Sequence, residues 1–97
     1  MRIISRATLR DFWEVYPDAE QPLKSWFQEV SQAKWSSMMD IKRLYRTASI
    51  IDHEIVVFNI AGNKYRLIVK CWFPVQTIWI KFLGTHSDYD RLELQRL

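Results

Sequence analysis

The sequence predicts an α+β domain in which an antiparallel-dominated, twisted sheet carries an N-terminal αα-hairpin on one face. Apolar residues recur at helical spacing near the N-terminus, whereas β-branched and aromatic residues dominate from residue 55 onward. Helices followed by a run of strands are typical of this class. The 97 residues include only two Gly and three Pro and contain no linker-like stretch. We therefore expect one domain spanning residues 1–97.

The N-terminal part of the chain predicts one strand and two helices. Residues 2–4, Arg-Ile-Ile, are typical of a short strand, and Ser5 is the candidate N-cap of the helix that follows. Pro17 is expected to end that helix, and Asp18 is the candidate cap of the second helix. The apolar residues at helical spacing are Leu9, Phe12, Trp13 and Tyr16, then Leu23, Trp26, Phe27 and Val30. These two stripes predict a helical hairpin with one shared apolar side.

The remaining chain predicts a short third helix and three strands. The apolar residues of the third helix are Ile41, Leu44, Tyr45 and Ala48. Residues 55–60, 64–73 and 76–83 have the composition of strands. Gly62-Asn63 and Pro74-Val75 are turn signals, so the three strands are expected to form a meander joined by two-residue loops.

The two turns predict a strand register and therefore two sheet faces. They place Asn59 opposite Arg66, and Lys70 opposite Trp79. They also place Ile68 opposite Lys81. The face expected to meet the helices carries Val56, Phe58, Ile60, Tyr65, Leu67, Val69, Cys71, Phe73, Ile78, Ile80 and Phe82. The opposite side, which we call the open face, carries Asn59, Lys64, Arg66, Lys70, Trp72, Trp79 and Lys81, with Ile55, Val57 and Ile68 among them.

The residues of the open face are those that a single-stranded RNA site requires. Lys64, Arg66, Lys70 and Lys81 can neutralise phosphates, because Lys and Arg side chains are cationic and Arg can contact a phosphate in bidentate fashion. The rings of Trp72 and Trp79 can stack on unpaired bases. The alternative is a solvated sheet face on which long side chains cover apolar stems and aromatic rings pair across strands.

A second group of polar residues follows the last predicted strand. Thr85 and Asp88 have the spacing of a capping box, which predicts a short helix. His86, Tyr89 and Asp90 would then share one side of a helical turn and form an acid–base cluster beside the cationic face. The alternative for His86 is a hydrogen-bonded residue at a helix start.

Composition limits the other functional classes. A single cysteine, Cys71, excludes an intrachain disulfide framework and a Cys-rich zinc site, and its place on the apolar face predicts a buried thiol rather than a nucleophile. No apolar run has the length of a membrane span and no signal peptide is evident, so we expect a cytoplasmic protein. The net charge of +3 is a mild indication of an anionic partner.

Three stretches of the chain match a known family at corresponding order and spacing. They are residues 2–26, with Arg-Ile-Ile-Ser and Tyr-Pro-Asp-Ala-Glu, residues 57–69, Val-Phe-Asn-Ile-Ala-Gly-Asn-Lys-Tyr-Arg-Leu-Ile-Val, and residues 81–90, Lys-Phe-Leu-Gly-Thr-His-Ser-Asp-Tyr-Asp. In these stretches the sequence resembles HigB toxins, the toxin halves of type II toxin–antitoxin modules within the RelE-like superfamily. The resemblance implies a small RelE-like domain.

The resemblance also implies an activity. It implies a ribosome-associated mRNA endoribonuclease that needs no metal or other cofactor and in which the 2′-OH attacks the adjacent phosphate. Its expected catalytic residues are Arg66, Lys81, His86, Tyr89 and Asp90, and its expected RNA-binding residues are Lys64, Lys70, Trp72 and Trp79. Arg66 and Lys81 would stabilise charge, His86 or Tyr89 would exchange protons, and Asp90 would orient His86. Position 81 is often Arg among relatives and is Lys here, which removes a bidentate contact.

The resemblance further implies a protein partner. The expected partner is a HigA-like helix-turn-helix antitoxin, through which alone the chain would reach operator DNA. No membrane partner is expected. Two alternatives to a nuclease remain open on the sequence: a non-catalytic RNA- or ribosome-binding module on the same face, and a protein-interaction domain that uses the aromatic helices.

Overall fold

A computed structural model of the chain describes residues 1–92. In chain order, the helices and strands are β1 (Arg2–Ile4), α1 (Ala7–Val15), α2 (Glu20–Gln32), α3 (Met38–Leu44), β2 (Ser49–Ile50), β3 (Ile55–Ile60), β4 (Tyr65–Trp72), β5 (Thr77–Thr85) and α4 (His86–Asp90). Short 3₁₀ turns at Pro17–Ala19 and Phe73–Val75 join α1 to α2 and β4 to β5. The prediction of one domain over residues 1–97 extends beyond the described residues.

The strands form one five-stranded sheet in the order β1-β5-β4-β3-β2. β1 runs parallel to β5, and every other neighbouring pair is antiparallel. This architecture confirms the predicted α+β class with an antiparallel-dominated sheet. Among residues 1–92, no helix has the length and apolar character needed to cross a membrane.

The core lies between the helices and one face of the sheet. The helices contribute Leu9, Leu23, Trp26, Val30 and Ile41, all at most 2% exposed. The sheet contributes most of the predicted apolar residues, among them Val56, Phe58, Leu67, Val69 and Ile78. The Trp26 and Phe58 rings meet edge to face across this interface, with centroids 5.5 Å apart. The helical hairpin therefore packs on the predicted face of the sheet.

The caps predicted for the first two helices are both wrong. α1 begins at Ala7, and Ser5 adopts a left-handed backbone (φ 77°) in which its carbonyl, rather than its side chain, accepts a bond from the Thr8 amide. Asp18 lies inside the 3₁₀ turn, so α2 has no side-chain cap. The Asp18 carboxylate accepts hydrogen bonds from Lys64 and Tyr65 instead. The Asp18 side chain, which the local sequence predicts to cap α2, thus makes a tertiary contact instead.

The third helix and the sheet edge also differ from the prediction. α3 ends at Leu44, whereas the apolar spacing extends to Ala48. The chain turns after Tyr45 and forms β2, a two-residue edge strand on β3 that the prediction lacks. Ala48 is nevertheless buried in the core, because the turn after α3 also packs against it.

The observed register agrees with the predicted one up to a β-bulge in β5 and differs beyond it. Asn59 opposes Arg66 and Lys70 opposes Trp79, as predicted. The ladder shifts between Ile68 and Val69, so Ile68 opposes Phe82 and the predicted pairing with Lys81 is wrong. Lys81 is the extra residue of the bulge. Beyond it the faces of β5 exchange: Phe82 turns to the open face, and Leu83 packs against the core in its place.

Cys71 provides a test of this packing. It is 1% exposed, and burial raises the pKa of its thiol to about 12. At about pH 8 we expect the native protein to react with a thiol reagent on the order of a thousand-fold more slowly than the protein unfolded in guanidinium. A stopped-flow colorimetric assay measures both rates. Comparable native and unfolded rates would contradict the buried position of Cys71.

Candidate functional site

One end of the open face holds a contact between Arg66 and His86. Arg66 is on β4, and His86 is the first residue of α4, directly after β5. The guanidinium Nε lies 3.2 Å from the imidazole Nε2, and Nη2 lies 2.7 Å from the same atom. The structure therefore brings together two residues that are 20 positions apart in the sequence and that were predicted to act together.

This contact determines which imidazole nitrogen carries the proton. A guanidinium has only donors, so both of its N–H groups must point at an unprotonated Nε2. The proton of the neutral ring then lies on Nδ1, the atom that faces the Asp90 carboxylate at 4.0 Å. His86 thus presents a basic lone pair toward the open face, and Arg66 holds that lone pair in place.

Tyr89 and Asp90 join the same cluster through α4. The guanidinium carbon of Arg66 lies 5.2 Å from the centroid of the Tyr89 ring, within cation–π range. The helix starts at the predicted capping box: the Thr85 hydroxyl accepts from the Asp88 amide, and the Asp88 carboxylate accepts from the Thr85 amide. The capping box therefore orients the one turn that carries His86, Tyr89 and Asp90. We call Arg66, His86, Tyr89 and Asp90 the histidine cluster.

Gly84 makes room for this arrangement. The bulge places Gly84 opposite Arg66 and directly before the capping box. A Cβ at position 84 would lie 2.6 Å from Cζ of Phe82 and 3.1 Å from Cβ of Asp88. Both distances are closer than van der Waals contact. The end of the Phe82 ring can move aside, but Cβ of Asp88 belongs to α4, so a larger residue at position 84 would press α4 away from the sheet.

A shallow cleft of about 400 Å³ lies further along the open face. Its walls contain Lys70, Trp72, Trp79 and Lys81, which are four of the predicted site residues, together with Glu54. Trp72 is 44% exposed, an unusual exposure for so large an apolar ring. The Lys70 ammonium lies 3.5 Å from the Glu54 carboxylate. The structure thus collects two cations and two indole rings at one place, which we call the tryptophan cleft.

The histidine cluster and the tryptophan cleft are separate parts of one face. Lys70 lies four positions after Arg66 in β4, a distance of about 13 Å along an extended strand. Between them lie Val57 and Ile68, which face the open side and are nevertheless fully buried. Water is therefore excluded from the middle of the open face, and an RNA would contact its two ends.

Lys64 joins neither group. The chain leaves strand geometry after Ile60 and re-enters it at Tyr65, so alternation does not apply to Lys64. Its ammonium lies 2.8 Å from the Asp18 carboxylate on the helix side, which corrects the prediction of an open-face position. Hydrogen bonds from Lys64, and then from Tyr65, hold the pKa of Asp18 below its ordinary value.

Sequence reasoning missed two charged residues near the open face. Arg2 in β1 is in register with Thr77 in the parallel pair, so its side chain points to the same side as Trp79. Glu54 directly precedes β3. Because side chains alternate along a strand, Glu54 would be expected on the same side as Val56, which faces the helices. The Asp52 carboxylate, however, accepts from the amides of Glu54 and Ile55 and bends the chain there. An Asp three positions before the first residue of the strand was the available signal.

A different surface lies on the outer side of the helical hairpin. A groove of about 460 Å³ between α1 and α2 is lined by the rings of Trp13 and Phe27 and by three cations, Arg6, Arg10 and Lys24. Arg6 stacks over the Phe27 ring at 4.8 Å, and Lys24 lies over the Trp13 ring at 5.3 Å. Both rings are only partly buried. We call this surface the hairpin groove.

Within residues 1–92 no group of three or more His, Cys, Asp or Glu side chains has an arrangement that could hold a metal ion. His86 and Asp90 form only a pair, through Nδ1 of the imidazole.

Comparisons with known proteins agree on one family. A family model described as HigB_toxin, the RelE-like toxic component of a toxin–antitoxin system, matches residues 19–92. The mRNA interferase toxin HigB of Escherichia coli (strain K12) is 24% identical over 92 residues, which cover 93% of this chain and 88% of that protein. An mRNA interferase HigB of Escherichia coli O6:H1 (strain CFT073) is 22% identical over 94 residues, covering 95% and 91%.

Proposed function

Since the chain belongs to the HigB toxin family, the RelE-like toxic component of toxin–antitoxin systems, we propose that it is an mRNA interferase. In this proposal the protein cleaves mRNA on the translating ribosome, in the cytoplasm, and thereby inhibits translation. The observation that carries the proposal is the pair of short contacts from the Arg66 guanidinium to His86 Nε2 on an open, cationic sheet face. This pair offers an anion site and a proton acceptor at the same place.

The reaction that suits this pair is attack of a ribose 2′-oxygen on the adjacent phosphorus. A phosphate that enters the histidine cluster offers oxygen acceptors to the guanidinium, which then no longer needs the imidazole lone pair. Arg66 would move its donors from His86 to the phosphate, and His86 Nε2 would become free to accept the 2′-OH proton. Substrate binding would thus release the base that it requires.

The remaining members of the histidine cluster have complementary roles. Asp90 lies near Nδ1, where it would orient the ring and stabilise the imidazolium that proton transfer creates. In an in-line displacement the attacking and leaving oxygens lie on opposite sides of the phosphorus, so one group cannot serve both at once. Tyr89, whose ring lies 5.2 Å from the guanidinium carbon of Arg66, is our candidate to protonate the leaving 5′-oxygen. The products would be a 2′,3′-cyclic phosphate and a free 5′-OH end.

The tryptophan cleft would hold the RNA on one side of the scissile bond. Lys70 and Lys81 would neutralise backbone phosphates, and Trp72 or Trp79 would stack on an unpaired base. Lys81 stands in the bulge between the two groups, so it would also share the charge that develops on the phosphoryl oxygens. No step of this scheme uses a metal or other cofactor.

The proposal is tested by mapping RNA ends. Purified protein is incubated with mRNA alone and with mRNA on programmed ribosomes, and new 5′-OH ends are mapped by ligation and sequencing. We expect new ends within the translated frame, and only in the presence of ribosomes. Salt-sensitive binding to ribosomes without new ends would instead identify a non-catalytic binding module.

We further propose that a HigA-like helix-turn-helix antitoxin covers the hairpin groove and that the toxin reaches operator DNA only through it. The groove joins two partly buried aromatic rings to three cations, which complements a segment carrying apolar and acidic side chains. Its residues belong to the outer side of α1 and α2, whereas the histidine cluster belongs to β4 and α4. The antitoxin bound in this groove would therefore not contact the histidine cluster directly.

A double substitution tests this surface. Trp13→Ala with Arg10→Glu is expected to weaken antitoxin binding about a hundred-fold, because it removes an aromatic anchor and reverses a neighbouring charge. Calorimetric titration with the antitoxin encoded by the neighbouring gene measures the change. The matched control on α3, Met39→Ala with Arg43→Glu, should leave the affinity unchanged. Equal affinities of the two double variants would place the antitoxin elsewhere.

A further inference from the structure

We propose that the tryptophan cleft is a guanine-selective subsite in which Glu54 and Lys70 recognise the Watson–Crick edge of an unpaired base. The inference rests on the proposed function for its RNA ligand, and it adds a specificity residue, Glu54. The observation behind it is a carboxylate placed beside a lysine and two indole rings in an otherwise cationic cleft. An acidic side chain repels phosphates, so its place in an RNA-binding cleft requires a separate explanation.

Glu54 is held from both sides by backbone hydrogen bonds. The Asp52 carboxylate accepts from the Glu54 amide at 2.8 Å, and the Glu54 carbonyl accepts from the Cys71 amide at 2.7 Å. These bonds tie the residue to the end of β4, next to Trp72. A carboxylate on a fixed backbone can select among ligands, because little ordering remains to be done when the ligand binds.

The charged groups around Glu54 produce a defined pattern of donors and acceptors. Oε2 lies 3.5 Å from the Lys70 ammonium, and Oε1 faces His53 Nε2 at 3.6 Å. The His53 side chain is 84% exposed, so a ligand can displace it easily. The edge that the cleft then presents reads donor, acceptor, acceptor: the Lys70 ammonium followed by the two carboxylate oxygens.

Guanine has the complementary edge. Its O6 accepts, and its N1–H and N2–H groups donate side by side, which matches one ammonium and two carboxylate oxygens. Uracil offers acceptor, donor, acceptor, so one of its carbonyls would face a carboxylate oxygen. Adenine and cytosine each place a ring-nitrogen acceptor at the centre, opposite a carboxylate oxygen. Stacking on Trp72 or Trp79 tolerates any base, so the selectivity would come from Glu54 and Lys70.

A simpler role for Glu54 is that of a counter-ion to Lys70, and the two roles predict different binding data. A counter-ion lowers the affinity for every RNA alike, since it only reduces positive charge. A base-reading carboxylate changes the affinity for guanine relative to the other bases. The ratio of affinities, rather than any single affinity, therefore distinguishes the two roles.

The test uses oligonucleotides that the protein cannot cleave. Fluorescent 2′-O-methyl oligouridylates of about nine nucleotides carry one central G, inosine, A, C or U, and anisotropy titrations give their dissociation constants. We expect wild type to bind the G oligonucleotide about tenfold more tightly than the A, C or U oligonucleotides. Inosine, which lacks the 2-amino group, should bind with intermediate affinity. Glu54→Gln should abolish the preference, and Glu54→Asp should reduce it.

Glu14→Gln on α1 is the matched control, because it removes the same charge far from the cleft and should keep the preference. Absence of a guanine preference in wild type, or its survival in Glu54→Gln, would overturn the proposal. Uniform tightening by Glu54→Gln would show a counter-ion and overturn it equally. The outcome is independent of the cleavage assay: mRNA cleavage without guanine preference would leave the proposed function intact, and the reverse would leave the subsite intact.

Discussion

Replacing Arg66 with Ala is expected to lower the rate of mRNA cleavage by about a thousand-fold or more and to abolish growth inhibition. The substitution removes the two N–H donors that contact His86 Nε2 and that would stabilise the phosphoryl oxygens. Arg66→Lys should recover part of the loss, because it restores a charge but not two parallel N–H groups. Single-turnover cleavage on programmed ribosomes measures all three rates.

The folded state should survive these changes. Arg66 is half-buried on the open face and lies outside the core, so the thermal midpoint should remain within a few degrees of wild type. Arg43→Ala, on the exposed side of α3, is the matched control and should cleave like wild type. An Arg66→Ala protein that stays folded and cleaves at the rate of the Arg43→Ala control would remove Arg66 from the mechanism.

The part of the site next to the turns was predictable from the sequence. Gly62-Asn63 and Pro74-Val75 determine the pairing of the residues nearest to them, and those pairs, Asn59 with Arg66 and Lys70 with Trp79, are observed. Alternation from these pairs collects Lys70, Trp72 and Trp79 on one face, where they line one cleft. The positions of these residues follow from the nearby hairpin turns and need no information about distant parts of the chain.

The remainder depends on contacts between distant parts of the chain. Nothing local to Lys81 indicates a bulge, so the register beyond it, and with it the position of Phe82, was predicted incorrectly. Asp18 suits a helix cap by local rules, yet it binds Lys64, which lies 46 positions away. Glu54 enters the cleft because Asp52 bends the chain before β3. In each case a tertiary or turn contact outweighs a preference of a few tenths of a kcal/mol to about 1 kcal/mol.

The bulge places Gly84, one of the two glycines of the chain, opposite Arg66, which leads to the second large expected effect. Without the extra residue, Leu83 would oppose Arg66 and carry a side chain into the space beside the guanidinium. With it, Gly84 takes that position, and α4 folds against the sheet. Gly84→Val is therefore expected to push α4 and His86 away from Arg66. We expect cleavage to fall about a hundred-fold, the usual consequence of a displacement near 1 Å at a reacting group.

Gly62→Ala is the control that separates displacement from destabilisation. Gly62 has φ +69° and open space around it, so a Cβ there strains the turn without touching the histidine cluster. It should lower the free energy of unfolding by about 1 kcal/mol and leave cleavage by the folded protein unchanged. Gly84→Val should cost about 1–3 kcal/mol through overpacking, and lose activity in addition. If the two variants lost activity only in proportion to their unfolded fractions, the close approach at Gly84 would have no part in catalysis, and His86 would not depend on the bulge for its position.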